Sequence, residues 1–229
     1  MNSYIIYFSK TGYIKYTSHL DMLRLFKRAF RRSGIELKYS CGFNPHPKMS
    51  FGQPLSLGYE STAEMLEFET DKTYSRDYLV DQLESSTPEG IKITDIGEIT
   101  AESRTVAASI ESAEYIATFP VSYYSKDFEK IVNDYLDQEE IITEKKQKKT
   151  KQLVETDIRS KIRSISTNIN DDNRLVLNML LDSGSKSNLS PELVIKTFVD
   201  FSDIKCNRYD VEVTRNKLNL PVDFPIQRL

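Results

Sequence analysis

Apolar and polar positions change period several times along the chain. Ser3–Phe8 (SYIIYF) is a short apolar run that reads as a strand, and the turn Ser9-Lys10-Thr11-Gly12 closes it. Tyr13–Tyr16 then predicts a short return strand. From Ser18 the period becomes helical: at about 100° per residue, Met22, Leu23, Leu25, Phe26, Ala29 and Phe30 fall on one side. Arg24, Lys27, Arg28, Arg31 and Arg32 fall on the other. Ser18 is a candidate N-cap with Asp21 three residues on, and Gly34 is a C-terminal stop.

Glu36–Ser40 predicts a strand, Met65–Glu69 a half-buried strand, Tyr74–Ser85 a helix and Ile91–Thr100 a strand. The order β-α-β-β-α-β is that of the ferredoxin-like split βαβ motif. After a plausible linker at 101–112 the order recurs. Glu114–Phe119 predicts a strand, Ser125–Leu136 a helix, and Ile141–Thr143 the start of a strand. Arg174–Leu181, Pro191–Val199 and Tyr209–Thr214 follow as strand, helix and strand. The expected class is α+β: two tandem ferredoxin-like (βαββαβ) halves, residues 1–100 and 113–229, with a Lys-rich insertion near 144–172 in the second.

The net charge of −3 hides a split. Residues 1–50 hold nine Lys/Arg against two Asp/Glu, and residues 51–100 hold three against eleven. Such an asymmetry suits a local basic patch rather than a uniform nucleic-acid coat. No apolar run reaches the roughly 18 residues that span a membrane. The N-terminus has no basic segment leading into an apolar one, so the expectation is a cytoplasmic protein. Cys41 and Cys206 lie far apart and outside any Cys-x-x-Cys pair, which excludes a self-contained zinc ribbon or a cysteine-ligated iron–sulfur cluster.

Candidate chemistry concentrates just after the basic helix. Residues 40–61, SCGFNPHPKMSFGQPLSLGYES, hold three of the eight prolines and three of the eight glycines. Prolines lower the entropy cost of ordering a loop, and glycines admit turns or close backbone approach. The five cations of the helix suit phosphate contacts, with Phe43 and Phe51 placed for base stacking. A solvated surface face is the alternative. Asn44, His46 and Lys48 complete the candidate RNA- or partner-binding set, and EKKQKKTK at Glu144–Lys151 is either a hairpin tip or a polyanion-binding arm. Two histidines with no carboxylate at a fixed spacing make no recognisable metal site. No Walker loop, GxSxG or GxGxxG is present. No cofactor is therefore expected.

The run from Lys10 to Ser61 resembles the radical-SAM-linked proteins, a bacterial family of uncharacterised function. The residues that carry the resemblance are Ser18-His19-Leu20-Asp21 at the helix start, Ser40-Cys41-Gly42-Phe43-Asn44-Pro45-His46-Pro47, and Leu55-Ser56-Leu57-Gly58. Glu155–Ile165 (ETDIRSKIRSI) resembles a later segment of that family, whereas the lysine tract has no counterpart in it. The resemblance implies a partner. Members are typically encoded beside a radical SAM protein or fused to it, with neighbours that point toward tRNA or rRNA. It transfers no catalytic residue. With two cysteines this chain cannot itself hold the radical SAM cluster, so the partner would carry any radical chemistry.

The leading expectation is a non-catalytic, RNA-binding accessory of a radical SAM enzyme. A metal-independent endoribonuclease is an alternative, because tandem ferredoxin-like halves resemble the CRISPR repeat-processing endoribonucleases in topology. Its acid and base would come from His19, His46 or Tyr39. A protein-interaction module without nucleic acid is the third reading.

Overall fold

The computed structural model describes residues 2–101, 104–146 and 152–228. The chain is α+β and divides into two compact units. The first, Met1–Glu111 with Arg215–Leu229, begins with β1 (Asn2–Lys10), α1 (His19–Ser33), β2 (Met49–Phe51) and β3 (Glu60–Thr70). It continues through α2 (Arg76–Ser86), β4 (Ile91–Ile99) and the short α3 (Val106–Ser109). The second unit, Ser112–Thr214, contains β5 (Ser112–Ser122), α4 (Phe128–Leu136), β6 (Ile142–Lys146), β7 (Leu153–Asp157), β8 (Ile162–Ile169), β9 (Arg174–Asp182) and α5 (Pro191–Ser202). β10 (Glu212–Asn219) carries the chain back to the first unit, where β11 (Ile226–Arg228) ends it.

In the first unit β1 pairs antiparallel with both β3 and β4, β2 pairs with β3, and β11 pairs with β4. The order β4-β1-β3-β2 is that of a split βαβ motif. Strand alternation sends Tyr4, Ile6 and Phe8 of β1 and Leu66 and Phe68 of β3 into one core. Phe26 and Phe30 of α1 and Leu79 and Leu83 of α2 fill it from the helical side. Ring contacts such as Phe30–Phe68, with centroids 4.8 Å apart, lock α1 onto β3.

Two expected strands are corrected here. Tyr13–Tyr16 lies within a 3₁₀ turn, Gly12–Tyr16, that buries none of its residues, so nothing rewards it for joining the sheet. Glu36–Ser40 contributes only isolated bridges, Leu37 to Thr70 and Tyr39 to Pro47. Met49–Phe51 takes the place on β3 instead. Pro45 and Pro47 lack the N–H that a ladder needs, and Phe51 is the residue of this stretch that reaches the core.

In the second unit the sheet runs β5-β9-β8, all antiparallel. Phe128, Val132 and Tyr135 of α4 and Phe198 of α5 are buried in its core. Tyr135 stands edge-on to Phe198 at 5.4 Å and shares a 2.7 Å hydrogen bond with the Thr197 hydroxyl. Burial pushes its phenol up to about 12.

The strand begun at Ile141–Thr143 is not a member of this sheet. β6 pairs with β7 in a separate hairpin, and the sheet strand is β8, which falls inside the expected insertion at 144–172. β8 sends only Ile162 and Ile165 inward, so the pattern is too sparse to read as a core strand. Residues 147–151 of the lysine tract lie outside the described residues.

Candidate functional site

The basic helix is built as its pattern predicts. The Ser18 hydroxyl accepts the Asp21 N–H at 3.2 Å and donates to the Asp21 carboxylate at 2.7 Å. That donated bond, and then the Arg24 guanidinium, hold the Asp21 carboxyl below its usual range. Gly34 ends the helix at φ 72°, a conformation only glycine adopts without penalty. Met22, Phe26, Ala29 and Phe30 are buried, while Arg24, Lys27, Arg28 and Arg31 are exposed. Arg24 pairs with Asp21 at 2.8 Å, and the Arg28 Nε donates to the Arg24 carbonyl.

Arg32 is held from a second helix. Its guanidinium, though exposed, donates to the carbonyl of Ser86, the last residue of α2. It ties two helix ends together, and its charge meets the C-terminal dipole of α2.

The loop after the helix is closed at its neck. Ser40 N–H donates to the His46 carbonyl at 2.8 Å, and His46 N–H donates to the Ser40 hydroxyl at 3.0 Å. Gly42, at φ 120°, turns the tip. Cys41, Asn44 and His46 are exposed, and Phe43 stands fully in solvent. Tyr39 is half-exposed beside the neck, bridged to Pro47.

Two loop residues do not belong to the exposed set. Lys48 pairs with Glu69 of β3 at 2.8 Å, and that carboxylate raises its ammonium above the ordinary value. Phe51 is a core residue. Its ring stands 5.6 Å from Phe26, 6.0 Å from Phe8 and 5.4 Å from His19. A base cannot stack on a face already covered. Among the described residues, no hydrogen bond or ring contact joins His19 to His46 or to Tyr39.

The His19–Phe51 contact forms part of a cleft that the sequence reading missed. The cleft is small, with a cavity volume of about 20 Å³, and is partly open to solvent. Lys10, His19, Gln53 and Glu64 give it polar atoms, and Met22, Phe51 and Leu55 give it apolar walls. Glu64 is gripped by Arg215 of β10. The Arg215 Nε and Nη2 reach one carboxylate oxygen at 2.8 and 2.6 Å, and Nη2 reaches the other at 2.6 Å. Arg215 also donates to the carbonyls of Gln53 and Pro54.

Lys10 is 3% exposed and donates to the Thr17 carbonyl at 2.9 Å. Burial lowers its ammonium below the ordinary lysine value; the Glu64 charge opposes this and Arg215 adds to it. A signal for these residues did exist. Lys10 continues the inward phase of Tyr4, Ile6 and Phe8, and Glu64 precedes Leu66 and Phe68 in the same phase. A charge at a core-phase position is expensive unless it is paired, and so marks a special site. Arg215 gave the same sign, following Val211 and Val213 in phase, but its partner lies 151 residues away.

A family profile described as an uncharacterized protein conserved in bacteria (DUF2344) matches residues 3–191. A comparison with curated proteins finds no match. Among solved structures the chain is similar to one from the crystal structure of a Cbf5-Nop10-Gar1 complex, with 11% identity and a TM-score of 0.48. That likeness covers 94% of this chain and 48% of the other, so this chain spans about half the length of the structure it matches. No helix among the described residues is long and apolar enough to cross a membrane.

Proposed function

The chain belongs to the bacterial family DUF2344, and we propose that it is a non-catalytic accessory protein that binds RNA through the outer face of α1 and the Ser40–His46 loop. One observation carries the reading. Arg24, Lys27, Arg28 and Arg31 stand exposed on one helix whose other face is buried, and the next exposed aromatic along the chain after the loop neck is Phe43. Exposed cations at helical spacing suit successive phosphates, and an unstacked Phe ring suits an unpaired base. Asn44 and His46 add hydrogen-bonding groups at the tip. Phe51 drops out of the contact set because its ring is buried in the core, whereas Arg32 and Lys48 stay in it as cations oriented by Ser86 and Glu69.

The partner in this reading is a radical SAM enzyme in the cytoplasm, acting on tRNA or rRNA. That part rests on the resemblance of residues 10–61 alone. The partner supplies the chemistry, and this chain supplies recognition.

The test is binding of the purified protein to small RNA across a salt series with EDTA present, with the RNA inspected afterwards. Arg28→Glu with Arg31→Glu is expected to weaken binding at least tenfold at low salt. Losing two phosphate contacts should also flatten the slope of log affinity against log salt by about 1.4. No binding at low salt would overturn the reading in favour of a protein-only module. Discrete fragments that disappear in His46→Ala or His19→Ala would overturn it in favour of a nuclease.

A further inference from the structure

We infer that the cationic face of α1 continues, at its N-terminal end, into a base-stacking platform made by Tyr13, Tyr16, Leu20 and Leu57, and that the RNA this chain takes is single-stranded along the whole helix. This rests on the RNA reading and narrows it.

The helix stripe is the first observation. At about 100° per residue, Leu20 falls in line with Arg24, Lys27 and Arg31. It is 63% exposed at the end of that row, where a face made only for solvent would carry a polar residue. Tyr13 is 95% exposed, Tyr16 62% and Leu57 63%. These segments meet: a Cβ added at Gly58 would stand 3.9 Å from the Tyr16 ring, and His19 and Leu55 line one cleft. Apolar side chains from three segments at one helix end form a patch rather than scattered surface.

The patch is fixed from beneath. The Gly58 N–H donates to the Lys15 carbonyl at 3.0 Å, and the Gly12 N–H donates to the Glu60 carboxylate at 3.0 Å. Lys15 pairs with that carboxylate at 3.5 Å. On the other side, the Thr11 N–H donates to the Gly90 carbonyl at 2.9 Å. The turn Gly12–Tyr16 is thus tied down at both ends while its tyrosines face water. A turn ordered before binding loses little entropy when a ligand docks on it.

Charge selects the occupant. Residues 10–34 hold seven Lys/Arg against one acid, Asp21, which is already bonded to Ser18 and Arg24. The Lys15 ammonium stands 5.6 Å from the centre of the Tyr16 ring. A ligand for this face brings negative charge and flat apolar surfaces together. A single RNA strand does so, with phosphates for the cations and bases for the rings. A duplex keeps its base faces stacked inside and has none to lay on Tyr16 or Leu57.

β3 sets the length. The platform is tied to its first residue, Glu60. The neck of the Phe43 loop is tied near its end, where the Lys38 N–H donates to the Glu69 carbonyl and the Glu69 N–H to the Lys48 carbonyl. Nine residue steps of about 3.3 Å, roughly 30 Å, separate Glu60 from Glu69. α1 lies between: its cap Ser18 follows Tyr16, and Leu37, just beyond Gly34, bridges Thr70. A strand stacked at about 3.4 Å per nucleotide covers this span in about nine nucleotides, and an extended strand in fewer.

Fluorescence anisotropy with a labelled twelve-nucleotide RNA of mixed sequence tests the inference, using the strand alone, its six-nucleotide half and its duplex with the complement. The full strand is expected to bind at least tenfold more tightly than the duplex or the half. Tyr13→Ala with Tyr16→Ala is expected to weaken the full strand about fivefold or more and to leave its salt slope unchanged, because stacking releases no counterions. Equal affinity for strand and duplex overturns the inference and needs only the wild-type protein. So does a cooperatively folded Tyr13→Ala/Tyr16→Ala variant that binds as the wild type does. Either result leaves the RNA reading in place. No binding of any RNA by the wild type overturns both, and binding of anionic vesicles in its stead would make the patch a membrane contact.

Discussion

The first unit carries two cationic regions made from the same kinds of side chain in opposite surroundings. On the outer face of α1, Arg24, Lys27, Arg28 and Arg31 stand in water. In the interior, Arg215 and Lys10 are 1% and 3% exposed. Outside, water screens each charge, and an ion pair such as Arg24–Asp21 contributes little to stability. Inside, every charge must be answered by a fixed partner, and removing that partner leaves the full desolvation cost. Counting charges along the sequence finds only the first kind. The first suits long-range attraction and tolerant contact with a polyanion; the second fixes one internal geometry.

The largest expected effect comes from breaking the buried pair. Glu64→Ala strands the Arg215 guanidinium and should cost about 3–5 kcal/mol in urea unfolding. Glu64→Leu with Arg215→Met should recover most of that loss, because an apolar pair of similar volume has no charge to desolvate. A single variant within about 0.5 kcal/mol of wild type would show that the pair is not buried in solution.

An intermediate case sharpens the contrast. Glu67 on β3 is half-buried, and its carboxylate accepts the Val106 N–H at 2.8 Å at the start of α3. Burial raises its carboxyl above the ordinary value; the Val106 bond opposes this and the Glu69 charge adds to it. The folded state therefore holds this proton more tightly than the unfolded chain does. The stability it contributes is complete below the ordinary glutamate value and is lost as pH rises through the raised one. Glu67→Gln keeps an acceptor for Val106 and carries no charge. It should remove that part of the decline when unfolding is followed from about pH 4 upward. An unchanged pH profile would reassign the decline to other carboxylates.

The smallest effect belongs to the outer face. Arg31→Ala should shift stability by no more than about 0.5 kcal/mol, since no ion pair or hydrogen bond among the described residues is lost. A larger loss would mean that the aliphatic stem of Arg31 packs against a neighbouring element.

Much of the fold was legible because it is written in local periods. The α1 boundaries follow from Ser18, Asp21 and Gly34 with a clean helical stripe between them. The helix at Pro191 was equally plain: its proline stands at the start and an apolar stripe runs through to Phe198. The misses share a cause. Tyr13–Tyr16 and Glu36–Ser40 have strand-like composition, but the sheet rewards only residues that reach the core, and Phe51 does so from a stretch that composition marks as loop. β8 was lost because only Ile162 and Ile165 of its eight residues turn inward. In the candidate site the exposed cations were visible, while the bonds that Arg32 and Lys48 make were not, because their partners Ser86 and Glu69 are distant in sequence.

The sequence by itself determined which helix carries the cations, where it begins and ends, and that a stiff loop follows it. These depend on propensity, capping and amphipathic spacing, which act within a few residues. Only the tertiary structure decided which of the charges are free and which are spent. It closed Glu64 onto Arg215 across 151 residues, drew Phe51 beneath His19, and left Lys10 buried with one carbonyl partner. The physical reason is desolvation: a charge acquires its meaning from the neighbours that replace its water, and those neighbours come from the fold, not from the adjoining residues.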